Sequence, residues 1–86
     1  MNFYDTITEM KYVVEKRTPE CILIIKKGTE CDSLIFFDMK NKEVHGAIKT
    51  TNLISTIAQT ATWYAMFRSM QADVRKLSEM SGYDII

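Results

Sequence analysis

His45 is the single histidine of the chain, and its chemistry depends on what can reach it. A carboxylate beside an imidazole can orient it as a general base, and a nearby thiol could then act as nucleophile. By residue type, Asp38 and Cys31 are the candidates. The strand pairing derived below sets Asp38 opposite His45 but leaves Cys31 at the far end of the same strand, so the three do not assemble. What remains is an exposed cross-strand Asp–His pair, stabilising by a few tenths of a kcal/mol. Cys21 and Cys31 fall near opposite ends of one hairpin, farther apart than the roughly 7 Å between Cα atoms that a disulfide tolerates, and read as small buried hydrophobes. One histidine and two separated cysteines do not form a zinc set. The sequence contains no Walker-type phosphate loop and no GxGxxG. The expectation is a non-enzyme with no metal and no cofactor.

The elements that hold these residues are legible from patterning. Phe3, Ile7, Met10 and Val14 recur at spacings of 4, 3 and 4, one face of an amphipathic helix over Asn2–Lys16. Asn2 is its N-cap and Asp5 favours the helix's positive end; Thr18-Pro19 stops it. Three strands follow. Cys21–Lys27 and Glu30–Lys40 flank Gly28-Thr29, suited to a two-residue type II′ turn, and Asn41-Lys42 makes a second turn into a strand that ends near Lys49. These turns place Leu23 opposite Leu34, Cys21 opposite Phe36, Lys40 opposite Glu43, Asp38 opposite His45, and Phe37 over Gly46. The expected fold is α+β: helix, three-stranded antiparallel meander, long C-terminal helix, in one domain spanning residues 1–86.

The stretch CILIIKKGTECDSLIFF is apolar on both faces of that meander. A strand over one core should alternate. One face carries Ile22, Ile24, Ile35, Phe37, Met39, Val44 and Ile48. The other carries Cys21, Leu23, Ile25, Leu34, Phe36 and Ala47, then turns polar at Asp38, His45, Lys40 and Glu43. Strand order 1-2-3 would also leave CILII at an edge, an association hazard unless covered. The long helix, from Thr50, Thr51 or Asn52 to a stop at Ser81-Gly82, shows two apolar seams. Leu53, Ile57, Ala61 and Tyr64, with Ile54, Ala58 and Ala65 beside them, form one. Trp63, Phe67, Met70, Val74 and Leu77 form the other, in the rhythm of helix-on-helix packing.

Apolar surface thus exceeds what one short chain can cover. The expectation is a homodimer, a two-fold pair being the commonest solution, with Trp63, Phe67, Met70, Val74 and Leu77 at the interface. Leu23, Leu34, Phe36, Asp38 and His45 would meet a protein partner. Such a chain suits an adaptor, a regulatory subunit or an inhibitor, of the kind a mobile element encodes.

Eleven Lys+Arg balance eleven Asp+Glu, so general attraction to nucleic acid or to an anionic membrane is not built in. The alternative function is local: Lys26, Lys27 and Lys49, gathered near the start of the long helix, could hold nucleic acid. The helix–three strands–helix order resembles, in topology alone, the double-stranded RNA-binding domain. TTNLISTIAQ stands where that family has its lysine-rich KKxAK signature. No apolar run approaches the roughly 20 residues of a membrane span, no secretory pattern opens the chain, and the cysteine usage points to the cytoplasm.

Overall fold

The computed structural model describes residues 2–50 and 57–86. Helix α1 spans Phe3–Glu9, with the Asn2 side chain accepting from the Asp5 backbone N–H at 2.9 Å. Its end is a Schellman motif. Lys11 takes the left-handed conformation (φ 71°), its N–H bonds Thr8 O, and the Tyr12 N–H bonds Ile7 O at 2.9 Å. Ile7 and Tyr12, the residues such a motif brings into apolar contact, are both buried in the core. The helix expected to reach Lys16 therefore stops a turn after Ile7. Val13–Arg17 becomes strand β1 instead, as a β-branched pair favours.

Strands β2 (Cys21–Lys27), β3 (Cys31–Asp38) and β4 (Glu43–Thr50) form the meander; helix α2 (Ile57–Ser81) follows, and β5 (Asp84–Ile85) closes the chain. The five-stranded sheet has order β1-β2-β3-β4-β5, antiparallel except for β4–β5. The fold is α+β as expected, with five strands rather than three. CILII is not an edge. β1 flanks it, presenting Glu15, Lys16 and Arg17 at the sheet margin, the charged edge that discourages further pairing.

Both turns are longer than expected. Lys27 pairs with Asp32 and Asp38 with Glu43, so each loop has four residues and each register moves by two. An aspartate of β3 closes each loop. Asp32 Oδ1 accepts from Gly28 N at 3.2 Å, and Asp38 Oδ1 accepts from Lys40 N and Asn41 N, both at 3.1 Å. A slip of two leaves every side chain on its original face, so the two-face reading survives. Asp38 no longer faces His45, whose cross-strand partner is Phe36.

The inner face holds the core. Ile22, Ile24, Ile35, Phe37 and Val44 pack under Ile7 and Tyr12 on one side and Met70, Val74 and Leu77 on the other. The seam expected to form a dimer is turned onto the chain's own sheet: Met70 is 2% exposed, Val74 4% and Leu77 0%, so these three pack within the chain. Phe67 packs beside this core, and Trp63, 37% exposed, stacks on Phe67 with ring centroids 5.2 Å apart. Of the other seam, Leu53 and Ile54 lie outside the described residues, as do the side chains of Ile57 and Ala58 and the proposed caps Thr51 and Asn52. Ala61, Tyr64 and Ala65 are exposed. Helix α2 ends as the sequence suggests, at Gly82, in the left-handed region (φ +74°) with its N–H on Ser78 O at 2.8 Å.

Close approach of α2 requires Gly46. A Cβ there would fall on Met70 Sδ and come within 2.9 Å of Val74 Cγ2. Gly46→Ala should therefore destabilise the chain by about 1–3 kcal/mol in urea unfolding. The same change should cost clearly less in a Met70→Ala background, because the colliding side chain is gone. Equal costs in the two backgrounds would mean that α2 does not rest on this glycine.

Candidate functional site

The outer face of the sheet gathers the expected partner-binding residues. Cross-strand register arranges it in four rows. Lys27, Asp32 and Lys49 form the first; Val13, Ile25, Leu34 and Ala47 the second; Lys16, Leu23, Phe36 and His45 the third; Cys21, Asp38, Glu43 and Asp84 the fourth. The two middle rows make an apolar band. At its centre Leu23, Leu34, Phe36, His45 and Ala47 line a shallow trough of about 300 Å³. Phe36 and His45 are in ring contact, centroids 5.7 Å apart. Both helices pack on the inner face, so among the described elements none lies over this band.

Four of the five residues expected to bind a partner thus share one surface. Asp38 lies on the same face at its acidic end, but its carboxylate is committed to its own turn. Besides the two backbone N–H groups, Asn41 Nδ2 donates to Asp38 Oδ2 at 2.8 Å. The bonds from the Asn41 backbone and side chain hold the Asp38 carboxyl below the usual carboxylate range. Asp38 shapes the rim rather than reaching outward.

The lysines of the nucleic-acid alternative are divided. Lys27 and Lys49 flank Asp32 on the outer face, whereas Lys26 points inward. There Lys26 Nζ lies 3.8 Å from Asp73 Oδ2 and 5.3 Å from the centre of the Tyr12 ring. The Tyr12 hydroxyl donates to the same Asp73 oxygen at 3.1 Å. Burial, then the adjacent Asp73 carboxylate, pushes the Tyr12 phenol well above its ordinary value, which keeps it a protonated donor. This cluster clips the α1–β1 connection and β2 to the middle of α2. Sequence reading missed it, because Tyr12 and Asp73 are 61 residues apart and nothing local relates them.

Nucleophilic chemistry does not converge. Cys31 lies on the inner face at one end of the sheet, its thiol 3.2 Å from Met66 Sδ, while His45 is on the outer face. Burial pushes the Cys31 thiol up, with Asp32 and Glu30 adding to the shift. Cys21, half-buried, contacts the Thr18 hydroxyl at 3.2 Å at the opposite end; both cysteines are free thiols. Among the described residues no three His, Cys, Asp or Glu side chains gather as metal ligands, and no helix is long and apolar enough to cross a membrane.

A second concavity, about 400 Å³, opens on the inner side between α1 and the end of α2, lined by Phe3, Ile22, Phe37, Met39, Met80 and Tyr83 with Ser81. The Ser81 hydroxyl already donates to Leu77 O at 2.8 Å and accepts from Tyr83 N at 3.2 Å. Among the described residues the Tyr83 phenol is its one other polar side chain, fewer than the several convergent polar groups of a small-molecule site.

Comparison with protein-family models, with curated proteins and with solved structures returned no significant match.

The Tyr12–Asp73 contact has a definite pH signature. A phenol whose native pKa is raised contributes fully below its unfolded value near 10, and that contribution is lost as pH rises through 10 toward the native value. Urea unfolding between about pH 9 and pH 11 should show wild-type stability falling by up to about 1.4 kcal/mol per pH unit more steeply than that of Tyr12→Phe. Parallel curves would place Tyr12 in water. For Asp38 the sign is opposite: its contribution is present above about pH 4 and is lost on acidification, so Asp38→Ala should flatten the acid limb of the stability curve.

Proposed function

We propose that this chain is a non-catalytic interaction module that works by stoichiometric binding of a protein through the outer face of its sheet. One observation supports this above the rest. Leu23, Leu34, Phe36 and Ala47 form a continuous apolar band on a face that neither helix covers, bounded at both ends by charged rows. An apolar centre with a charged rim is the general layout of protein–protein contacts. Contiguous apolar patches on soluble chains usually mark such contacts. Free thiols held at opposite ends of the sheet suit a cytoplasmic setting. Adaptor, regulator and inhibitor are all roles this mode of action serves. The nucleic-acid alternative has less in its favour, since Lys26 is turned away from Lys27 and Lys49 and paired with Asp73.

Two adjacent phenylalanines test whether the outer face is a working surface or part of the chain's own core. Phe37 is buried on the inner face, and Phe37→Ala should cost about 3–5 kcal/mol in urea unfolding. Phe36→Ala, measured at high dilution, should cost about 1 kcal/mol or less. Phe36→Asp should also abolish binding of an apolar dye to the native chain. A Phe36→Ala cost as large as that of Phe37→Ala, or a native chain that binds no dye, would remove the outer face as a docking surface.

A further inference from the structure

We propose that the occupant of the outer face is a second copy of this chain, stacked sheet on sheet about a two-fold axis that lies between the sheets and runs across the strands. The inference rests on the reading of that face as a docking surface and adds its occupant. Its basis is the order of charge along the strands. One end of the apolar band carries Lys27 and Lys49, with Asp32 between them 6% exposed and bonded to Gly28 N, and is net positive; the other carries Asp38, Glu43 and Asp84, all acidic. The face therefore has a positive end and a negative end.

Two sheets stacked face to face can be related by an in-plane axis along the strands or across them. Along the strands, each end meets its own kind, positive over positive and acidic over acidic. Across the strands, the direction of each strand is reversed in the partner while strand order is kept. The basic row of one copy then lies over the acidic row of the other. Lys49 of β4 comes over Glu43 of the second copy, and symmetry makes that pair twice. The apolar rows also interdigitate: Leu34 lies over Phe36 of the second copy and Ala47 over its His45, while Ile25, 9% exposed, is already buried in its own chain beside them. The one like-charge approach is Asp32 over Asp38. Lys27 and Lys49 flank Asp32, and the Asp38 carboxylate is bound to Lys40 N and to Asn41. Complementary ends select the axis, as charge juxtaposition selects register generally.

The size of the face agrees. Four strands about 4.8 Å apart and four rows about 6.7 Å apart give a footprint of roughly 500 Å² per copy, or roughly 1,000 Å² for the pair, the lower bound for a specific interface. A weak, concentration-dependent dimer follows, with sheets aligned to within about 30° as in other face-to-face packings.

Charge reversal tests both occupant and orientation. Glu43 and Lys49 sit six positions apart on one strand, about 20 Å, too far to pair within one chain. Light scattering and sedimentation of the full chain at low salt should show a mass that rises to twice that of a single copy with concentration. Glu43→Lys and Lys49→Glu should each weaken the dimer roughly tenfold or more, and the double variant Glu43→Lys/Lys49→Glu should return its affinity to within a few-fold of wild type. Each variant should retain the wild-type circular dichroism spectrum. A single-copy mass up to about millimolar concentration would overturn the second copy as occupant; the docking face itself then stands or falls on the Phe36 and Phe37 comparison. A dimer indifferent to both single reversals, or one the double variant fails to restore, would overturn the proposed stacking.

Discussion

The fold depends on one helix lying directly against one strand. α2 sets Met70 and Val74 over Gly46 and buries Leu77 completely, which joins the C-terminal third of the chain to the sheet. Glycine at that place lets the helix backbone approach without displacing the side chains that make the contact. The rest of the inner layer follows. α1 fills the remaining strip with Ile7, Tyr12 extends the core beneath it, and Asp73 of α2 holds the Tyr12 hydroxyl and the Lys26 ammonium at the core's edge. A polar cluster in that position contributes direction more than energy. It fixes the rotation of α2 about its own axis, so that Met70, Val74 and Leu77 face inward and Tyr64 faces out, 57% exposed.

Face periodicity was legible in the sequence because a strand's period of two survives any even error in register. Both loops turned out two residues per hairpin longer than the turn chemistry of Gly28-Thr29 and Asn41-Lys42 suggests, yet Ile22, Ile24, Ile35, Phe37 and Val44 share one side and Leu23, Leu34 and Phe36 the other. The loop lengths were hidden because side chains set them: Asp32 and Asp38 bond loop N–H groups, and those bonds outcompete the tighter turns. Residues 10–16 misled for another reason. Val14 falls on the helical stripe of Phe3, Ile7 and Met10 by coincidence, while Lys11 adopts a positive φ that residue type alone would not suggest. The end of α2 was plain from Ser81-Gly82 because glycine announces the left-handed residue that closes a helix.

The apolar surplus read from composition resolves unevenly. The edge hazard at CILII disappears once β1 is recognised, and the Trp63–Leu77 seam is mostly absorbed by the sheet. Among the described elements the outer band remains without cover, and so do Trp63 and Tyr64 on the free side of α2. The candidate site was therefore readable as a set of residues but not as a surface with ends. The positive and negative rows come into view only when Lys27, Asp32 and Lys49 are aligned across three strands, and Asp38, Glu43 and Asp84 across three more positions of the same ladder.

The shortest element has the largest topological effect. β5 is two residues long and runs parallel to β4, so β4, α2 and β5 form a crossover connection. Crossovers of this kind are right-handed in nearly all proteins, and handedness decides on which side of a sheet the intervening helix must travel. Two backbone bonds, Asp84 N to Lys42 O and Ile86 N to Val44 O, at 2.9 and 3.1 Å, thereby tie the choice of helical side to the margin where the last strand attaches. Had those residues docked at the opposite margin, the same rule would have sent α2 over Phe36 and left Phe37 to water.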